Sequence, residues 1–74
     1  MSRLIRMDES GHTVLAEWTS ADPRAAARAA SVLRQELERG QLAVVPRADG
    51  TAEQVRELPL EAPLVILRRP IAGG

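Results

Sequence analysis

One segment of this chain is fit to form a long helix, and it stands between stretches that read as strands. Asp22 is a good N-cap and Pro23 suits the first helical position, where its missing N–H costs nothing; Gly40 suits the left-handed residue that closes a helix. Between them Ala26, Ala30, Leu33 and Leu37 recur at i, i+4, i+7 and i+11, an apolar stripe flanked by Ala29 and Val32. Arg24, Arg28, Gln35, Glu36 and Arg39 take much of the remaining surface. The spacing predicts one amphipathic helix over 23–39. In a chain of 74 residues that stripe has to be buried against a sheet supplied by the flanks.

The flanks supply it. Residues 3–7, with Leu4, Ile5 and Met7, read as a first strand, and 13–18 as a second, with Val14, Ala16 and Trp18 on one face and Thr13, Leu15 and Glu17 on the other. The segment Asp8-Glu9-Ser10-Gly11-His12 between them has turn chemistry. After Gly40, residues 41–45 predict a third strand blunted by Pro46, and Asp49-Gly50 is a two-residue hairpin signal. Residues 52–58 then predict an exposed edge strand, because Glu53, Gln54, Arg56 and Glu57 leave it little to bury. Pro59 and Pro63 bracket an irregular link. The run Leu64-Val65-Ile66-Leu67 is apolar at every position and belongs in the middle of the sheet, beside the first strand. The expected class is α+β, a mixed four- to five-stranded sheet with one helix packed across it in the order ββαβ(β)β. Residues 1–69 would form one domain.

Composition removes several function classes. With no cysteine there is no disulfide framework, thiolate metal site or cysteine nucleophile. Ten basic residues balance ten acidic ones, which gives no electrostatic case for nucleic acid or an anionic membrane as partner. No apolar run is long enough to span a bilayer, and a cytoplasmic monomer is expected. All ten basic residues are arginine, so no lysine is present to receive a linkage from another copy.

The last strand runs into Arg68-Arg69-Pro70-Ile71-Ala72-Gly73-Gly74. Glycines have no Cβ, so Gly73 and Gly74 can thread a narrow channel and accept its backbone geometry. Pro70 stiffens the stem, and seven extended residues carry the last carboxylate roughly 20 Å beyond the sheet. Residues beyond about Arg69 have little to pack against, so 70–74 is expected to be a flexible tail.

The element order, the segment Thr13-Val14-Leu15-Ala16-Glu17-Trp18 followed by Asp22, and the ending Leu64-Val65-Ile66-Leu67-Arg68-Arg69…Gly73-Gly74 resemble the ubiquitin-like β-grasp family. The ending Pro70-Ile71-Ala72-Gly73-Gly74 is similar to those of the bacterial diglycine sulfur carriers within it. The resemblance implies that an adenylating enzyme activates the Gly74 carboxylate, which then becomes a thiocarboxylate or is conjugated to a target protein. In that role Gly73 and Gly74 are the activated end, and Arg68, Arg69, Pro70 and Ile71 form the partner-binding tail. The chain would be a carrier or modifier and not an enzyme, with no cofactor or metal of its own; its partners would be the activating enzyme and a target protein or sulfur acceptor. A non-conjugated interaction module, or small subunit of a complex, offering a sheet face or edge strand is the alternative.

Other residues that draw notice have ordinary readings. His12, the only histidine, stands in turn chemistry with no metal-ligand spacing around it, and reads as solvated. Trp18, the only aromatic residue, caps the core where the second strand meets the helix. Glu53 and Glu57 have no spacing partner for acid–base work and read as solubility.

Overall fold

A computed structural model describes residues 1–70, and these form an α+β structure of one helix on a five-stranded mixed sheet. The elements are β1 (Ser2–Asp8), β2 (Gly11–Trp18), α1 (Pro23–Glu38), β3 (Leu42–Pro46), β4 (Ala52–Val55) and β5 (Leu64–Arg68). The strands lie in the order β2-β1-β5-β3-β4, with β1 and β5 parallel and every other pair antiparallel. The apolar run of β5 sits in the centre, against β1 as expected and with β3 on its other side. Its side chains alternate between two unequal faces: Val65 and Leu67 are buried under the helix, while Leu64 and Ile66 on the other face stay half-exposed.

The helix termini follow from local chemistry. Asp22 Oδ1 accepts the Arg24 and Ala25 backbone N–H groups, both at 3.1 Å, and Pro23 opens the first turn. At the other end Gly40 N–H donates to Leu37 C=O (3.0 Å) and Gln41 N–H to Glu36 C=O (3.1 Å), while Gly40 takes φ +93°. That pairing is a Schellman motif, for which glycine carries no Cβ penalty.

The helix is rotated from its sequence-predicted seat. Its deepest residues are Ala25, Ala29, Leu33 and Glu36, and of the expected stripe only Leu33 is fully buried; Ala26, Ala30 and Leu37 lie on the flank, half-buried. The helix packs chiefly on β2, over Trp18, and only lightly on β3. Arg6 of β1 also draws Glu36 inward, with Nη1 3.4 Å from the Glu36 carboxylate.

Three further expectations are corrected. On β1 and β2, Leu4 pairs with Ala16 but Ile5 pairs with Val14, so Leu15 is an extra, bulged residue. The bulge resets the alternation: Val14 turns to the outer face, 43% exposed, and Leu15 joins Ala16 against the core. The Asp49-Gly50 turn has one more residue than the two-residue hairpin expected. Arg47 N–H bonds Thr51 C=O at 2.8 Å and Gly50 N–H bonds Arg47 C=O at 3.1 Å, leaving Ala48, Asp49 and Gly50 as the loop. Finally, β4 does not continue over 52–58. Its partner β3 starts only at Leu42, opposite Arg56 in this register, so residues 57 and 58 have no strand to pair with; the last pair is Ala43↔Val55 and the chain bends at Arg56 and Glu57.

The core under the helix comprises Leu4, Trp18, Ala25, Ala29, Leu33, Ala43, Val65 and Leu67. Trp18 is 1% exposed, and its indole N–H donates to Leu60 C=O at 3.2 Å, tying down the link between the two prolines. No helix among the described residues is long and apolar enough to cross a membrane.

Candidate functional site: the root of the tail and the open sheet face

Because β5 is the middle strand of the five and is hydrogen-bonded on both sides, Arg69 and Pro70 follow from the centre of the sheet. Arg68, Arg69 and Pro70 are all exposed, and neither arginine has an ionic partner among the described residues. Ile71, Gly73 and Gly74 were the other expected site residues; together with the tail flexibility expected there, 71–74 lie outside the described residues.

Around Arg69 is an open notch of about 840 Å³ between the end of β1 and the start of β3. Arg6, Met7, Asp8 and Ser10 line one side of it and Gln41 the other. Continuing the strand pairs Arg6↔Leu67 and Leu42↔Arg68 by one or two residues brings Arg69 level with Asp8 and with Gln41. The notch is thus the continuation of the β5 lane. The Gln41 side-chain Oε1 is buried there without a hydrogen-bond partner. The Asp8 carboxyl is held below its ordinary pKa, first by the Ser10 hydroxyl (2.8 Å) and then by the Ser10 backbone N–H (2.9 Å), both donating to Oδ1. Beneath the notch Glu36, only 6% exposed, lies between Arg6 and Arg39, whose guanidinium nitrogens stand 3.4 and 3.6 Å away. This contact joins the helix C-terminus to β1 beside the root of the tail.

The second feature is the sheet face away from the helix. Strand pairing sets Val14, Ile5, Ile66 and Val44 in one row across four strands, ended by Gln54 on β4. Leu42 and Leu64 flank that row, and Met7 adds exposed apolar surface. By alternation Arg68 shares this face with Ile66, and Arg3 and Glu17 form an ion pair at its border, 3.0 Å apart. The face is apolar in the middle and charged at its margins. Val14 and Met7 are exposed and Val44 and Ile66 half-exposed, while Ile5 between them is buried at 8%, so the row offers apolar surface in part and not throughout.

The remaining singled-out residues fall away from both features or into supporting roles. His12 is exposed but sits within β2 opposite Met7, not in the turn. Glu53 forms an ion pair with Arg47 at the turn end of the β3–β4 hairpin, and Glu57 lies in the bend beyond β4 instead of on a strand. Sequence reasoning missed Glu36, Gln41 and the Val14–Ile5–Ile66–Val44 row. The row was hidden by the bulge, since unbroken alternation puts Val14 on the helix side. Glu36 looks like an ordinary surface residue until Arg6 of β1 is brought across from it.

Comparison with family models, with curated proteins and with solved structures finds no match to this chain.

Proposed function

We propose that the protein is a ubiquitin-like carrier or modifier of the β-grasp type, activated at Gly74. The observation that carries this reading is the seat of β5. The strand that leads to the C-terminal segment is held between β1 and β3, its Val65 and Leu67 are fully buried, and Arg68, Arg69 and Pro70 at its end are exposed. A stem anchored in the core lets a partner grip Arg68 and Arg69 and draw the tail into a channel without unfolding the domain. The arginines suit acidic residues at the mouth of such a channel, through charge-assisted hydrogen bonds. The chemistry belongs to the partner: the Gly74 carboxylate attacks the α-phosphorus of ATP and pyrophosphate leaves, then sulfide, a thiol or an amine attacks the acyl carbon of the adenylate and AMP leaves.

The test is ATP–pyrophosphate exchange with candidate activating enzymes from the same genome. Exchange is expected with the wild type, with His12→Ala and with Glu53→Ala. It is expected to vanish when Gly74 is deleted or Gly73 is replaced by Val. Equal exchange for the Gly74 deletion, or none for the wild type with every candidate, overturns the reading.

The open sheet face favours a second reading, a non-conjugated interaction module or small subunit of a complex. Its apolar row is ready for a flat partner surface, whatever the fate of the tail. Under this reading Ile66→Asp abolishes partner binding and deletion of Gly74 does not.

A further inference from the structure

A third surface, on the helix side, is independent of the tail and of the open face. The apolar arc of α1 is wider than the sheet covers: Leu33 is sealed at 1% exposure, but Ala30 and Leu37 beside it remain half-buried. The cause lies in the strands. With the helix set over β2 and β4 ending at Val55, nothing regular faces this flank, and only Leu58 from the bend leans toward it. A groove of about 360 Å³ results, at the lower end of the range for sites that take small groups.

The edges of the groove say what fits. Arg34 stands on the helix side, with Arg56 and Glu57 on the bend, and all three are exposed. Arg34 and Arg56 have no carboxylate partner among the described residues, like Arg24, Arg28, Arg68 and Arg69, but these two alone of the unpaired arginines line the apolar groove. An aliphatic floor edged by two unneutralised guanidinium groups and one carboxylate is complementary to an apolar side chain with anionic neighbours. We propose that this groove docks a partner segment in which an aliphatic side chain is flanked by carboxylates. The aliphatic group lies on Ala30, Leu37 and Leu58, and the carboxylates meet Arg34 and Arg56.

The experiment is an amide NMR titration of the full chain with two blocked hexapeptides, Glu-Glu-Leu-Leu-Glu-Glu and its counterpart with lysine for every glutamate. The acidic peptide is expected to shift the amides of Ala30, Arg34, Leu37 and Leu58, and the basic one to leave them in place. The double variant Arg34→Glu/Arg56→Glu, whose changes fall on exposed side chains, is expected to fold and to bind the acidic peptide roughly tenfold more weakly or worse. Four results overturn the proposal: no shifts at millimolar peptide, equal shifts with the basic peptide, undiminished binding by the double variant, or shifts centred on Ile5, Val44 and Ile66. A fifth is concentration-dependent shifting of groove amides without peptide, together with Leu60, because exposed Leu60 beside Glu61 would then mark a second copy as the occupant.

Discussion

Replacing Leu33 and Leu37 one at a time by alanine separates the observed seat of the helix from the one its sequence stripe implies. Both leucines belong to that stripe, yet Leu33 is 1% exposed in the middle of the core and Leu37 is half-buried on the flank. For a sealed leucine the lost transfer free energy adds to the cavity left behind, a cost of about 2–5 kcal/mol. At Leu37 only part of the side chain leaves water on folding and the open groove beside it leaves no closed cavity, so the cost is on the order of 1 kcal/mol. Total stability for a chain of 74 residues is about 4–11 kcal/mol, so the first substitution consumes a large share of it and the second a small one. With 1 kcal/mol worth roughly 4–8 °C in a domain of this size, a central value of about 3 kcal/mol lowers Tm by roughly 12–24 °C for Leu33→Ala, against roughly 4–8 °C for Leu37→Ala. Thermal unfolding followed by circular dichroism reads both. Equal shifts, or a larger one for Leu37→Ala, would refute the rotated helix.

Three other outcomes follow from particular contacts. Glu36→Ala removes the carboxylate between Arg6 and Arg39; since Arg6 remains partly solvated, the cost is about 1–3 kcal/mol in chemical denaturation, and Arg6→Ala in the same background adds less than it does alone. Gly40→Ala forces a Cβ into φ +93° and costs about 1–2 kcal/mol, although the space around it is open. The Asp8 and Asp49 carboxyls are both held below the ordinary aspartate pKa, by the hydroxyl and then the backbone N–H of Ser10 and of Thr51 respectively. A depressed folded-state pKa contributes stability that is present above the unfolded pKa and lost as pH falls through the folded value. Stability is therefore expected to decline as pH drops below about 4, and less steeply in Asp8→Asn and Asp49→Asn. Urea denaturation at pH 2.5 and pH 6 measures that difference.

Much of this fold can be read locally. Asp22, Pro23 and Gly40 fix the helix ends because caps depend only on neighbouring backbone groups, and the observed helix is one residue shorter than the span they predict. The unbroken apolar run of β5 likewise announces a central strand. What escapes the sequence depends on a second element. The bulge at Leu15 exists only in the pairing of β2 with β1, and it decides which way Val14 points. The length of β4 is set by where β3 begins, and the rotation of the helix by Trp18 below it and Arg6 beside it. The candidate site divides in the same way: Arg68, Arg69 and Pro70 are visible as an exposed stem, while the notch at Gln41, the open row and the groove at Leu58 come from strand order and register.

The measurement that bears most directly on the carrier reading is tandem mass spectrometry of the intact protein isolated from its native host, resolved to its C-terminal fragment. The account predicts a population with a thiocarboxylate on Gly74, or with Gly74 joined through an amide to another protein. Fragmentation assigns the added mass to the C-terminus and separates it from oxidation at Met1 or Met7. A terminal fragment that carries only an unmodified carboxylate under every growth condition, with no branched peptide ending in Gly73-Gly74, would contradict activation at Gly74.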